Sequence, residues 1–101
     1  MVVFVDLSGL DDRGVQAVLK QVERADLLLA LKGATATMQD LFLRNMSSRA
    51  AADIRDELDI MGPTPRSLVD RAQENIVAVA LRLADEQVIF LPRGGGDDLL
   101  V

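Results

Sequence analysis

The chain has 101 residues, half of them hydrophobic, with 11 Lys and Arg against 16 Asp and Glu for a formal net charge of −5. That is one domain with enough apolar content to close a single core. The absence of Cys and His excludes disulfides, thiolate chemistry and the commonest general base and metal ligand, and the negative balance argues against nonspecific nucleic-acid binding.

Met1 to Leu7 is apolar and brief, and reads as a hinge running into a helical turn that Gly9 breaks. Asp11 or Asp12 then caps a helix in which Val15, Val18, Leu19 and Val22 follow i, i+3, i+4, i+7 spacing. Asp26 opens a short helix, Leu27 to Leu31, apolar nearly all round and therefore expected inside, with Gly33 closing it. Thr37 with Asp40 has the pattern of a capping box, starting a helix through Met38, Leu41, Phe42 and Met46.

The stretch Asn45 to Pro63 is the most informative. Ser47 is placed to cap its helix, and Gly62 with Pro63 stops it. At about 100° per residue, Ala50, Ala51, Ile54, Leu58 and Met61 share one side. Arg49, Asp53 and Asp56 fall opposite, within about 60° of one another, flanked by Glu57 and Asp59, with Arg55 further round. Ser67 and Asp70 suggest a second capping box that opens the longest helix, to about Glu86. Val69, Ala72, Ile76, Val79 and Leu83 form its inner stripe, and Val77 and Leu81 widen it. A helix that long and apolar is the expected spine. Val88 to Leu91 is extended, and Pro92 with Gly94 to Gly96 precedes an acidic-apolar tail.

Core residues drawn from Leu, Val, Ile, Ala and Met, with three Phe and no Trp or Tyr, favour packed helices over a β-sandwich. The expectation is all-α: a compact six-helix domain stacked in an armadillo-like, right-handed manner. Residues 1–4 are a hinge, 5–87 the helical body and 88–101 an extended, flexible tail. No signal peptide is visible and no apolar run approaches the ~20 residues of a membrane span, so a soluble, cytoplasmic protein is expected.

Paired carboxylates such as Asp56/Glu57 invite an acid–base reading, but helix neighbours point about 100° apart and not at one substrate atom. Asp53, Asp56 and Glu57 have metal-ligand spacing, yet Arg49 and Arg55 lie among them and compete. Gly94 to Gly96 lacks the helix start, Lys and Ser/Thr of a phosphate loop, and Asp97 and Asp98 would repel a phosphate. No cofactor or metal is expected. A charged helix face ordinarily does no more than solvate a domain, and Lys32 before Gly33 also complements a helix dipole. Spacing alone therefore leads to a helical, non-enzymatic, protein-binding domain.

The residues themselves go further. LDDRGVQAVLKQV (Leu10–Val22), LLLALKGA (Leu27–Ala34), FLRNMSSRAAADIRDELDIMGP (Phe42–Pro63) and AQENIVAVALRL (Ala72–Leu83), followed by RGGGDD, closely resemble the C-terminal domain of the flagellar rotor and switch protein FliG. The opening MVVF is similar to that family's Met-Phe-x-Phe hinge, with Val2 in place of the first Phe, which marks Met1, Val2, Val3 and Phe4 as hinge residues. The resemblance implies an all-helical domain in the cytoplasmic ring of the bacterial flagellar motor, peripheral to the inner membrane. Its charged face would meet the cytoplasmic loop of the stator protein MotA to generate torque and take part in switching. The positions matching the family's charges are Lys32, Arg49, Asp56 and Glu57. A further family Arg falls where Pro65 stands here; Arg66 comes one place later, a register in which its side chain need not point the same way. A chain starting at the hinge lacks the family's upstream domains, so contact with the switch protein FliM and with the membrane ring is not expected of it, although other copies and upstream parts of the rotor protein are implied partners. Two other classes stay open: a generic helical-repeat interaction module, such as the stacked-helix domain that regulates some magnesium transporters, and an enzyme built on Asp56 and Glu57.

Overall fold

A computed structural model describes residues 2–91. Met1, the glycine run at 94–96 and the acidic-apolar tail at 97–101 lie outside the described residues. The described residues form six helices and no strand: a 3-10 helix η1 (Phe4–Gly9), then α1 (Asp12–Leu19), α2 (Arg24–Lys32), α3 (Ala36–Leu43), α4 (Ser48–Ile60) and α5 (Arg66–Asp85). No helix among them is long and apolar enough to cross a membrane.

The helix starts show how local chemistry sets each boundary. The Asp11 carboxylate accepts from the Gly14 N–H at 2.7 Å, and the Ser47 hydroxyl accepts from Ala50 N–H at 3.1 Å. Three expected starts are corrected. Thr35, not Thr37, caps α3, accepting from Met38 N–H at 3.2 Å. α2 begins at Arg24 behind an N-cap at Glu23, so Asp26 lies in its first turn. Pro65 occupies the N-cap of α5 and no side chain caps that helix, so Ser67 sits inside it. Pro65 begins the helix through its locked φ of −56°.

The core is continuous from Phe4 to Leu91. Phe42 is fully buried, and its ring stacks on that of Phe4 with centroids 5.9 Å apart and planes 4° from parallel. This anchors η1, whose first turn is tied by the Val3 N–H donating to the Asp6 carboxylate at 2.9 Å. Of the positions marked as hinge, Val2 is half-buried, Val3 exposed and Phe4 in the core. Ile89 and Leu91, in the stretch expected to open an extended tail, are also buried in the core, while Val88 and Phe90 alternate outward.

The expectation of α5 as a spine for every other helix needs revision. α5 receives η1, α1 and α2, and its contact with α2 is the broadest among the described residues. α4 packs chiefly on α2, and α3 on α1 and η1. α2 is thus the middle layer, which its near-uniform apolarity requires: Leu27, Ala30 and Leu31 are buried between α4 and α5.

α5 ends in a Schellman motif. The Val88 N–H donates to the Leu83 carbonyl at 2.9 Å and the Gln87 N–H to that of Ala84 at 3.0 Å. Gln87 holds the left-handed position with φ 61°, where glycine is the unstrained residue. Gln87→Gly should relieve that strain against a smaller unfolded-state entropy loss, a net gain of up to about 1 kcal/mol. A thermal melt should show Tm rising by up to about 5 °C; an unchanged or lowered Tm would refute the strain argument.

Candidate partner-binding face

α4 presents its outer side because only Ala51 and Ile54 are fully covered, with Ala50, Leu58 and Met61 half-covered beside them. Leu58 is therefore at the margin of the core, not in it. Opposite lies a lane of Arg49, Asp53, Asp56 and Ile60, spaced i, i+4, i+7, i+11, all exposed. Ile60 is 83% exposed, a bare aliphatic group at the C-terminal end of a charged row. Periodicity marked the charges but passed over Ile60, whose position in the same lane was the available signal.

The family-matched charges do not share one lane. Arg49 and Asp56 lie in the outward lane, and neither forms an ion pair among the described residues. Glu57, about 100° round from Asp56, is on the flank facing α2, where its carboxylate accepts from the Arg24 guanidinium at 2.6 Å. Both side chains of that pair are partly exposed, so its worth is that of a surface ion pair, about 0.2–1 kcal/mol. Arg24 was not visible as a partner in the sequence, since it precedes Glu57 by 33 residues, with the rest of α2 and all of α3 between them.

Lys32 is half-buried at the end of α2, and its amine donates to the Met61 carbonyl at 3.2 Å. It thereby supplies a cation to the open C-terminal end of α4 as well as to α2 itself. Arg66 is the first residue of α5, its side chain 92% exposed and its Nε 3.9 Å from the Asp70 carboxylate one turn on. The sequence-selected residues thus divide into an outward pair (Arg49, Asp56), a paired flank (Glu57 with Arg24), a lysine at the α2–α4 junction and an arginine at the start of α5.

Asp56 and Glu57 diverge, and Glu57 is held by a cation, which is a poor arrangement for shared acid–base work. Among the described residues no three acidic side chains come together as a bound cation requires. What the face offers is exposed charge of both signs on a rigid helix, suited to reversible contact with another protein.

Comparison with known proteins gives a consistent result. The pattern of the family described as FliG C-terminal domain matches residues 1–91. Among curated relatives, the flagellar motor switch protein FliG of Thermotoga maritima is 45% identical over 101 residues, the whole of this chain and 30% of that protein. The protein of the same name from Bacillus subtilis is 40% identical over the same span, again 30% of its length. Among solved structures, residues 86–343 of FliG from H. pylori align with TM-score 0.85 and 38% identity, covering 88% of this chain and 42% of that one. Full-length FliG from Aquifex aeolicus aligns with TM-score 0.82 and 35% identity, covering 85% and 27%. The chain therefore spans about 30% of the length of these curated relatives.

Proposed function

The chain belongs to the FliG C-terminal domain family, and from that premise we propose that it is a rotor component of a bacterial flagellar motor switch. In this reading the outer face of α4 meets the cytoplasmic loop of the stator protein MotA through charge, generating torque and taking part in reversal. Residues 1–4 serve as the hinge on which the helical body turns, and the domain works on the cytoplasmic side of the inner membrane. FliM is engaged by other parts of the rotor protein. The role is mechanical, with no catalytic step.

The observation that carries this reading is the outward lane of α4, where Arg49 and Asp56 stand exposed with no ion pair among the described residues. Charges already neutralised by neighbours would have little left for a partner. Exposed pairs are worth only about 0.2–1 kcal/mol each, and screening confines them to ~8 Å at physiological salt. Contacts of that size let a rotor engage a stator and release it at each step, and charge sets register and encounter rate more than affinity. Glu57, held by Arg24, contributes only when a stator cation displaces that arginine. Arg66, 92% exposed at the start of α5, contributes as a further cation.

The test is torque in the source bacterium, measured on beads attached to flagellar stubs. Asp56→Lys is expected to lower torque more than Asp56→Ala, and a compensating reversal on the stator loop should restore part of it. Unchanged torque after reversals at Lys32, Arg49 and Asp56 would remove the electrostatic account.

A further inference from the structure

Arg24 and Glu57 form the shortest ion pair among the described residues, guanidinium to carboxylate at 2.6 Å. Neither residue is explained by its own helix. Arg24 is the first residue of α2, where the helix dipole disfavours a cation. Glu57 lies in the last turn of α4, where the dipole disfavours an anion. They meet only because α4 packs on α2. α4 carries three other carboxylates, Asp53, Asp56 and Asp59, all exposed and none in an ion pair among the described residues. Of the four acids on this helix, the pairing singles out one.

We propose that Arg24 decides which acids of α4 a partner's cation uses: by occupying Glu57 it confines that cation to the outward lane of Asp53 and Asp56. A cation arriving at Glu57 must displace a guanidinium already held by a charge-assisted bond, so it gains only the difference between two like contacts. At Asp56 it gains the whole contact. Glu57 also points about 100° round the helix from Asp56, so a cation bound there would draw the partner off the lane toward α2. On a face where charge fixes orientation more than affinity, that choice is a choice of register. Arg24 acts through Glu57 and is a positioning residue. A pair that merely clipped α2 to α4 would affect stability and leave the selection among carboxylates unchanged. The selection rests on the rotor reading for the protein that carries the cation, but it can be observed on this chain alone.

The experiment is an NMR titration of the 101-residue chain at neutral pH and low ionic strength, following the side-chain carboxylate carbons of α4. The probe is the peptide acetyl-Ala-Ala-Arg-Ala-Ala-amide, and the same peptide with glutamine for arginine is the control. In the parent chain the arginine peptide is expected to shift Asp53 and Asp56 and to leave Glu57 still, and the control peptide to shift none of them. Arg24→Gln should bring Glu57 into the response, with an affinity at that carboxylate roughly 1.5- to fivefold above the parent's, the size of one exposed ion pair. Arg24→Lys, which keeps the charge, should return Glu57 toward silence, and Arg13→Gln on α1 should keep the parent pattern. A Glu57 that shifts as much as Asp56 in the parent chain, or stays still in Arg24→Gln, overturns the proposal. A lowered Tm as the sole effect of Arg24→Gln overturns it as well, leaving a clip. Torque defects at Asp56 and Arg49 without the selection remove the role of Arg24 alone. The selection without those defects removes the rotor reading alone.

Discussion

Ile76→Asp is expected to leave the chain unfolded at 25 °C. Ile76 is fully buried on the inner stripe of α5, where that helix meets η1, α1 and α2. The substitution removes the transfer free energy of a large aliphatic side chain, about 1.5–3 kcal/mol, and puts a carboxylate into a core that holds no buried polar or charged side chain among the described residues. An unpaired buried charge adds several kcal/mol more, even after protonation relieves part of the penalty. The sum matches the whole stability of a domain of this size, about 5–15 kcal/mol. Leu58→Asp provides the contrast. Sequence periodicity puts Leu58 in the same class as Ile76, but it is half-buried beside an open cleft with Lys32 and Arg55 on its walls. Its aspartate can stay hydrated and near cations, so the variant should fold with a loss of about 1–3 kcal/mol. Circular dichroism with thermal melting separates the two: a cooperative transition for Ile76→Asp within a few degrees of the parent would show that α5 faces elsewhere.

The contrast also shows what the linear order of residues could and could not reveal. The apolar period of α4 and α5 finds the inward sides because each helix is long enough to sample its own circumference several times. It grades burial poorly, since Leu58 and Ile54 have equal claims on the wheel, yet Ile54 is fully buried and Leu58 half-buried. The cap at Ser47 was legible as a single residue, and that at Asp11 only as one of two adjacent aspartates. At Thr35 and Thr37 two hydroxyls compete, and the turn at Gly33–Ala34 brings the chain into helix early enough for Thr35 to reach Met38 N–H. Of the site, the Arg49–Asp56 lane follows from spacing within one helix. The Arg24–Glu57 pair, the Lys32–Met61 bond and the cleft of Arg55 join residues from different helices and depend on how α2 crosses α4. Local pattern has no access to that crossing.

That crossing is held in place by the seam on the other side of α2, where Gly33→Ala should cost about 1–2 kcal/mol. Gly33 ends α2 with φ −97° and ψ 8°, a conformation open to alanine, so the backbone raises no objection. The constraint is contact: a Cβ at this position would lie 2.4 Å from Val69 Cγ1 and 3.6 Å from Gln73 Nε2. Val69 is buried and β-branched, with little rotamer freedom to retreat into. The end of α2 must therefore move off α5, straining the bond in which Gln73 Nε2 donates to the Ala30 carbonyl at 3.0 Å. Overpacking of this kind costs about 1–3 kcal/mol, and the reduced freedom of the unfolded chain offsets about 0.4–1 of it. Tm should fall by roughly 5–10 °C. Val69→Ala opens the missing space, so the double variant should be more stable than the two single losses predict, by at least ~0.5 kcal/mol in a double-mutant cycle. Additive losses, or a neutral Gly33→Ala, would show that the two helices are not in contact there. Lys32 is the residue next to Gly33, and its amine reaches across to the Met61 carbonyl. Any shift of the α2 end that relieves the clash also draws this cation away from α4, while leaving Arg49 and Asp56 exposed.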